Sequence, residues 1–239
     1  MVEPVESIPA LWQWPPRAAF GRPIPKSKFY ERAAVSTRVR ELFVDQIAQI
    51  IWAFKLSPTT VGLAATDAIP EIDVLEITLK PDVDDVSDDL LTVLNRAIPA
   101  PLLLEIRRHP AVGAGGDAQR LTATPTKDRR TTFVSTPWLP SPAERSPLPP
   151  ALDLAGLHTA LLAPLMPHAV RPGESLAELA ERAGVIRVLE REIATLRRRV
   201  RAERQFNRRA EINRTLRERT AALTALTTTP TSEESPWRS

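Results

Sequence analysis

From about Val185 to Leu226 the chain reads as one long helix, and the arrangement of its apolar and charged positions limits what the rest can build. Leu189, Ile193, Leu196 and Val200 fall four, three and four apart, the spacing of a coiled-coil seam. Around that seam stand Arg191, Arg197, Arg198, Arg199, Arg201, Arg204, Arg208 and Arg209, more guanidinium groups than the neighbouring glutamates can neutralise. Unbroken, roughly 42 residues extend about 63 Å, farther than a domain of this size is wide. The helix must leave the globule or fold back on itself. The seam loses step after Val200, where Glu203 takes the next apolar slot and Phe206, Ala210, Leu216 and Leu223 resume out of phase. A stutter and an antiparallel hairpin both account for the slip.

The 239 residues suffice for one compact domain and an appendage. Twenty-four prolines against eight glycines indicate stiff connectors more than tight glycine turns. The reading divides the chain into a proline-rich N-terminal arm (1–24), an α+β domain (25–136), a proline-rich linker (137–150), short packing helices (151–184), a basic coiled coil (185–226) and a disordered tail (227–239). Trp12, Trp14 and Phe20 mark the arm either as an extended segment docked by aromatic anchors or as a disordered one. The fold class is α+β: a small mixed sheet flanked by helices, followed by a long C-terminal coiled-coil helix or helical hairpin.

Within the domain, Val39, Leu42, Phe43, Ile47, Ile50, Ile51 and Phe54 match the amphipathic template and predict one helix from Ser36 to about Leu56. Pro58 ends it, and extension follows. Glu71 to Lys80 alternates as a strand with Leu75, Ile77 and Leu79 on its buried face, and Val61 to Ala65 is a candidate partner. Ser87 caps a short helix through Ala97, with Asp88 and Asp89 at its positive end. Leu102 to Ile106 reads as an interior strand, Thr131 to Thr136 as another and Leu121 to Thr124 as a weaker one. Asp153 caps a helix carrying Leu154, Leu157, Leu161, Leu162 and Leu165, and Ser175 with Glu178 forms a capping box for a short helix closed at Gly184.

Several function classes are disfavoured by what the chain contains. There are no cysteines, which excludes disulfide and thiolate chemistry and fits a reducing cytoplasm. No stretch approaches the roughly 20 apolar residues that span a bilayer, and Met1 to Pro16 has the pattern of neither a signal nor a transit peptide. His109, His158 and His168 have no second histidine or cysteine at ligand spacing, so no zinc site is expected. The glycine-rich run Gly113-Ala114-Gly115-Gly116 lacks the lysine and hydroxyl of a phosphate cradle and reads as a loop tip. Asp82, Asp84, Asp85, Asp88 and Asp89 lack calcium-loop spacing and read as an acidic approach to a helix. Asp73, Glu76 and Lys80 suggest a metal-dependent nuclease, but alternation puts Asp73 on the face opposite Glu76 and Lys80, and Thr78 stands between those two.

Three stretches carry a family likeness: Ile24-Pro25-Lys26-Ser27-Lys28-Phe29-Tyr30-Glu31, Glu71-Ile72 leading to Glu76-Ile77-Thr78-Leu79-Lys80, and Glu203-Arg204-Gln205-Phe206-Asn207-Arg208, with Thr136-Pro137-Trp138 between. From about Ile24 to Leu226 the chain resembles the bacterial family called domain of unknown function four-three-nine-one. The resemblance implies a small α+β domain with a basic C-terminal coiled coil, and a setting beside helicases and DNA methyltransferases in phage-defence clusters. It carries over no catalytic residue. The expectation is a cytoplasmic, non-enzymatic accessory subunit with no cofactor or metal. It binds a protein partner, a helicase or methyltransferase subunit by the resemblance, or nucleic acid, or a second copy of itself. Arg197, Arg198, Arg199, Arg201, Arg204, Phe206, Arg208 and Arg209 are the candidate binding residues. The alternative is a metal-dependent nuclease built around the 71–80 strand.

Overall fold

Runs of β-branched and leucine residues between polar breaks build one mixed sheet. The computed structural model describes residues 11–33, 35–109, 116–125, 133–169, 171 and 173–228. In chain order the elements are β1 (Ala19–Pro23), α1 (Lys26–Arg32), α2 (Thr37–Gln46), β2 (Ile47–Leu56), α3 (Pro58–Val61), β3 (Ile72–Leu79), α4 (Asp88–Ala97), β4 (Leu102–Arg108), β5 (Ala118–Ala123), β6 (Val134–Ser135), β7 (Leu139–Pro140), α5 (Leu154–Leu162), α6 (Leu176–Ala202) and α7 (Phe206–Thr227). They fall into two units, residues 1–165 and 166–239.

In the first unit the seven-stranded sheet runs β1-β2-β3-β4-β5-β6, with β7 also on β5. All pairs are antiparallel except β3 with β4, which α4 joins. One face carries Ile50, Leu75, Ile77, Leu104 and Ile106, which form a core with Phe29 of α1, Phe43 of α2 and Leu90, Leu91 and Leu94 of α4. The expected strand at 71–80 is present as β3, and Leu75, Ile77 and Leu79 are buried as expected. Its other face is covered too, for Ile72 and Val74 are fully buried.

The predicted helix from Ser36 to Leu56 is half helix and half strand. Ser36 Oγ does accept the Val39 N–H and α2 begins there, but the backbone extends at Ile47. Bulges in the pairing with β3 between Ile47 and Gln49 and between Trp52 and Phe54 explain the misreading. Each inserts a residue, so the buried positions of β2, Ile47, Ile50, Ala53 and Leu56, recur every third residue and imitate a helical period. After β2, Pro58 opens the short helix α3, where extension was expected, because Ser57 and Thr60 form a capping box around it. The strand expected at Val61 to Ala65 reduces to a single bridge between Ala64 and Asp153. The weaker strand expectation at 121–124 is fulfilled more fully, as β5. Of the Thr131 to Thr136 strand the described part is β6; residues 131 and 132 lie outside the described residues. Ser87 stands at the N-cap of α4, yet its hydroxyl makes no cap bond, and its N–H donates to Gln46 Oε1 at 2.9 Å.

The second sheet face is closed by segments the sequence presents as spacers. Glu105 of β4, 1% exposed, lies in the register position beside Glu76. Arg145 donates to both its oxygens at 2.7 Å, and Trp14 Nε1 donates to Oε1 at 2.6 Å. Arg145 also reaches the Trp12 carbonyl at 2.7 Å, and Ser146 exchanges backbone hydrogen bonds with Leu11 and Gln13. Trp12 and Trp14 are buried, and Trp14 packs 5.9 Å from Phe54. Arm and proline-rich segment are thus stitched to each other and to the sheet, which carries the aromatic-anchor alternative for residues 11–16. Residues 1–10 lie outside the described residues, as do 229–239 of the expected tail. Among the described residues no helix is long and apolar enough to cross a membrane.

A buried carboxylate stripped of its cation costs more than the pair contributes. Arg145→Ala is expected to lower unfolding free energy by about 3–5 kcal/mol in urea denaturation, while Glu105→Leu combined with Arg145→Met recovers most of that loss. An unchanged urea midpoint for Arg145→Ala would show that the tie contributes nothing.

Candidate functional site

The second unit is built on α6 and α7. The Ser175–Glu178 capping box forms as expected, Ser175 N–H donating to Glu178 Oε2 at 2.8 Å and Glu178 N–H to Ser175 Oγ at 3.3 Å. The helix it opens does not close at Gly184 but continues to Ala202, so the short helix and the first part of the long one are a single element of 27 residues. Gly184 is negative in φ and lies inside a good apolar stripe, which outweighs its weak helix propensity. Along that stripe Leu176, Leu179, Ala183, Ile186, Leu189 and Ile193 are buried.

The predicted slip after Val200 is a break in the backbone. Glu203 to Gln205 are non-helical, Glu203 and Gln205 both having extended dihedrals, and α7 starts at Phe206. The start of α6 lies beside the end of α7: Arg182 Nη1 donates to the Leu226 carbonyl at 3.2 Å, and farther along Arg219 Nε meets Glu192 at 3.1 Å. The two helices therefore run antiparallel. At this closed end Arg171 Nη2 lies within 3.0 Å of the Ala225, Leu226 and Thr228 carbonyls, groups a helix C-terminus otherwise leaves without partners. Glu174 holds the clamp, taking Arg182 on both oxygens at 2.6 and 2.7 Å and the Arg171 N–H at 2.9 Å. The Arg182 hydrogen bonds, and then the Arg171 N–H, hold the Glu174 carboxyl below the usual carboxylate range.

The arginines gather at the opposite end. Arg197, Arg198, Arg199 and Arg201 occupy the last turns of α6, Arg204 the break, and Arg208 and Arg209 the first turn of α7; all are exposed. Among the described residues none of the seven has a carboxylate within 4.0 Å. Arg198 donates to Thr195 Oγ1 and Arg201 to the Arg197 carbonyl, both at a long 3.3 Å. Between Arg197 and Arg209 the single acidic residue is Glu203. Arg199 and Arg201 sit where a helix C-terminus favours cations, whereas Arg208 and Arg209 sit at an N-terminus that already carries partial positive charge. Phe206 is 74% exposed at the start of α7. A shallow groove on this end is lined by Leu196, Arg199, Glu203, Arg208, Glu211 and Ile212. The surface is strongly cationic, and Glu203 and Glu211 are the carboxylates that line its groove.

The other candidates are dispersed. Asp73, 1% exposed, accepts from Trp52 Nε1 at 3.1 Å on the helix-covered face. Glu76 pairs with Arg107 at 3.3 Å on the opposite face, so the predicted separation by strand alternation holds. Asp85 is matched by Arg120 at 2.7 Å, and Arg108 donates to the Asp84 carbonyl at 3.0 Å, so the acidic loop is answered from β4 and β5. Arg108 and Arg120 both stack on Trp138, 4.3 and 4.8 Å from its centroid. His109 contacts Asp117 at 2.9 Å and His158 is buried in α5. Gly113 to Gly115 lie outside the described residues. Among those described, no three histidine, cysteine or acidic residues form a metal-holding group. Sequence reasoning missed the Glu105–Arg145–Trp14 tie and the Glu174 clamp. An acidic residue inside the apolar run Leu102–Ile106 was the available signal for the first; nothing local marked the second.

A family model, Domain of unknown function (DUF4391), matches residues 13–223, and the chain belongs to that family. No curated protein and no solved structure matches the chain.

Because the Glu174 pKa is depressed in the folded state, its contribution to stability is present above the unfolded glutamate value of about 4.3 and is lost as pH falls through and below it. Thermal melts followed by circular dichroism from neutral to acid pH are expected to show that loss for the second unit, and Glu174→Gln is expected to weaken the clamp at neutral pH and flatten the acid limb. An acid limb identical in the two proteins would remove Glu174 as its source.

Proposed function

We propose that, as a member of this family, the chain is a non-enzymatic accessory subunit of a DNA-modifying or phage-defence complex in the bacterial cytoplasm. In this reading α6 and α7 form a coiled-coil hairpin whose cationic end meets a phosphate backbone. The sheet unit docks the protein partner, a helicase or methyltransferase subunit. The observation that carries the reading is the set of seven exposed arginines at the α6–α7 break with no carboxylate partner among the described residues. Guanidinium groups concentrated in this way repel one another, and a polyanion relieves that repulsion while releasing its counterions. Phe206 adds a flat apolar surface for a base or a partner helix.

If about six phosphates are met, log Kd is expected to vary with log salt with a slope near 5, a weakening of about a thousandfold between 50 and 200 mM salt. Replacing Arg197, Arg198, Arg199 and Arg201 by glutamine should cut that slope by more than half in fluorescence anisotropy with labelled DNA. Unchanged DNA binding by this variant would remove the electrostatic part of the proposal and leave a protein-facing or self-associating coil.

The nuclease alternative places its chemistry on Glu76 and Lys80 of the 71–80 strand. The Arg107 guanidinium beside Glu76 already supplies a positive charge, and Asp73 faces away, so the observations favour the binding reading. The two separate cleanly in one assay. With magnesium or manganese and labelled DNA, no divalent-dependent cleavage is expected; cleavage that disappears in Glu76→Ala would replace the proposal.

A further inference from the structure

β1 is an edge strand of the sheet, and on it Phe20 is exposed beside a half-buried Trp52 of β2. β1 has no buried residue and is held by its pairing with β2. Gly21, at φ +64°, sits in a bulge of that pairing, a position at which a side chain would be strained. The bulge turns the strand so that Phe20, 40% exposed, meets Trp52 edge-on with centroids 5.5 Å apart. Trp52 is fixed in turn, its Nε1 donating to the buried Asp73. Beside it a small cavity opens between Trp52, Phe29 and Ile98, with Lys28 and Arg32 of α1 at its mouth. Arg22 lies 4.8 Å over the Phe20 ring.

The charges here are unequal. Glu31 is taken by Lys28 and Glu71 by Lys55, each at 2.9 Å, while Arg22 and Arg32 have no carboxylate partner among the described residues. An exposed Phe20 set edge-on to an anchored Trp52, cations lying over one side of each ring (Arg22 on Phe20, and Lys55 5.3 Å over Trp52), a small cavity on Trp52 with Arg32 at its lining, and two guanidiniums without a carboxylate are the elements of a single-strand platform. Bases stack there and the sugar-phosphate chain follows the cations. A duplex keeps its base faces inside the stack, so it has nothing to offer Phe20.

We propose that the ledge formed by Phe20, Trp52, Arg22 and Arg32 binds single-stranded nucleic acid, stacking a base on the aromatic pair and placing adjacent phosphates at the two arginines. The site belongs to the first unit and does not depend on the arginine cluster of α6 and α7.

The test uses the full chain carrying glutamine at 197, 198, 199 and 201, so that loss of the other surface cannot be mistaken for loss of this one. Anisotropy of a labelled oligothymidylate and quenching of tryptophan fluorescence are measured, with duplex DNA and polyglutamate as competitors. Saturable oligonucleotide binding with quenching is expected, and duplex should compete poorly. Phe20→Ala is expected to weaken binding about tenfold, and Phe20→Leu, which keeps the apolar contact with Trp52, should weaken it nearly as much. Arg22→Gln and Arg32→Gln should each lower the salt slope by about one. Absence of binding, or equal affinity for the parent and both Phe20 variants, would overturn the proposal. Displacement by polyglutamate as effective as by unlabelled oligonucleotide would also overturn it, assigning the ledge to an acidic protein segment.

Discussion

One carboxylate organises the sheet unit. Glu105 stands in the parallel β3–β4 pair, between Leu104 and Ile106 along its own strand and beside Glu76 and Leu121 on its neighbours, and is 1% exposed. Such a group is tolerated only when its charge and lone pairs are met in full. Arg145 and Trp14 meet them, and in doing so each fixes the segment it belongs to. The cover of this sheet face is therefore tied down by a charge pair, in contrast to the other face, where Phe29, Phe43 and the α4 leucines close it chiefly by apolar packing around the Trp52–Asp73 hydrogen bond. The two faces of one sheet solve the same burial problem by different means.

The C-terminal helices show a comparable division between ends. At the closed end, Glu174, Arg171 and Arg182 satisfy one another and the last carbonyls of α7. At the other end the arginines have no carboxylate partner among the described residues. The same residue type thus acts as an internal strut where a carboxylate accompanies it and as an outward-facing charge where none does. Position relative to the helix break decides which, because the break at Glu203 to Gln205 is where both helices expose their termini.

Much of this was legible from local signals. The β3 strand, the 153 and 175 caps, the apolar stripe of α6 and its loss at Glu203 each follow from residues within a few positions of one another, and each lies where those residues predicted. The misreadings have a common physical origin. β2 looks helical because its bulges are set by pairing with β3, a separate strand later in the chain; the proline-rich segment looks like a spacer because its anchors are distant in sequence, Arg145 finding its carboxylate 40 positions earlier. The arginine cluster is plain in the sequence as a cluster, but its position at one end of a helix pair, and the exposure of every member, needed the fold. The aromatic ledge was invisible for the same reason, since Phe20, Trp52 and Arg32 are brought together only across β1, β2 and α1.

The distances in sequence spanned by the Glu105 tie bear on how the chain matures. Trp14 waits for a partner 91 residues later, and the Trp12 carbonyl for one 133 residues later. On a ribosome the early tryptophans emerge long before either partner exists, and one sheet face stays greasy and open until residue 146 has cleared the exit tunnel. The last stitch to be made is the one that holds Leu11 to Trp14 in place, so the vulnerable interval for sticking to other nascent chains ends only after Ser146 has been made.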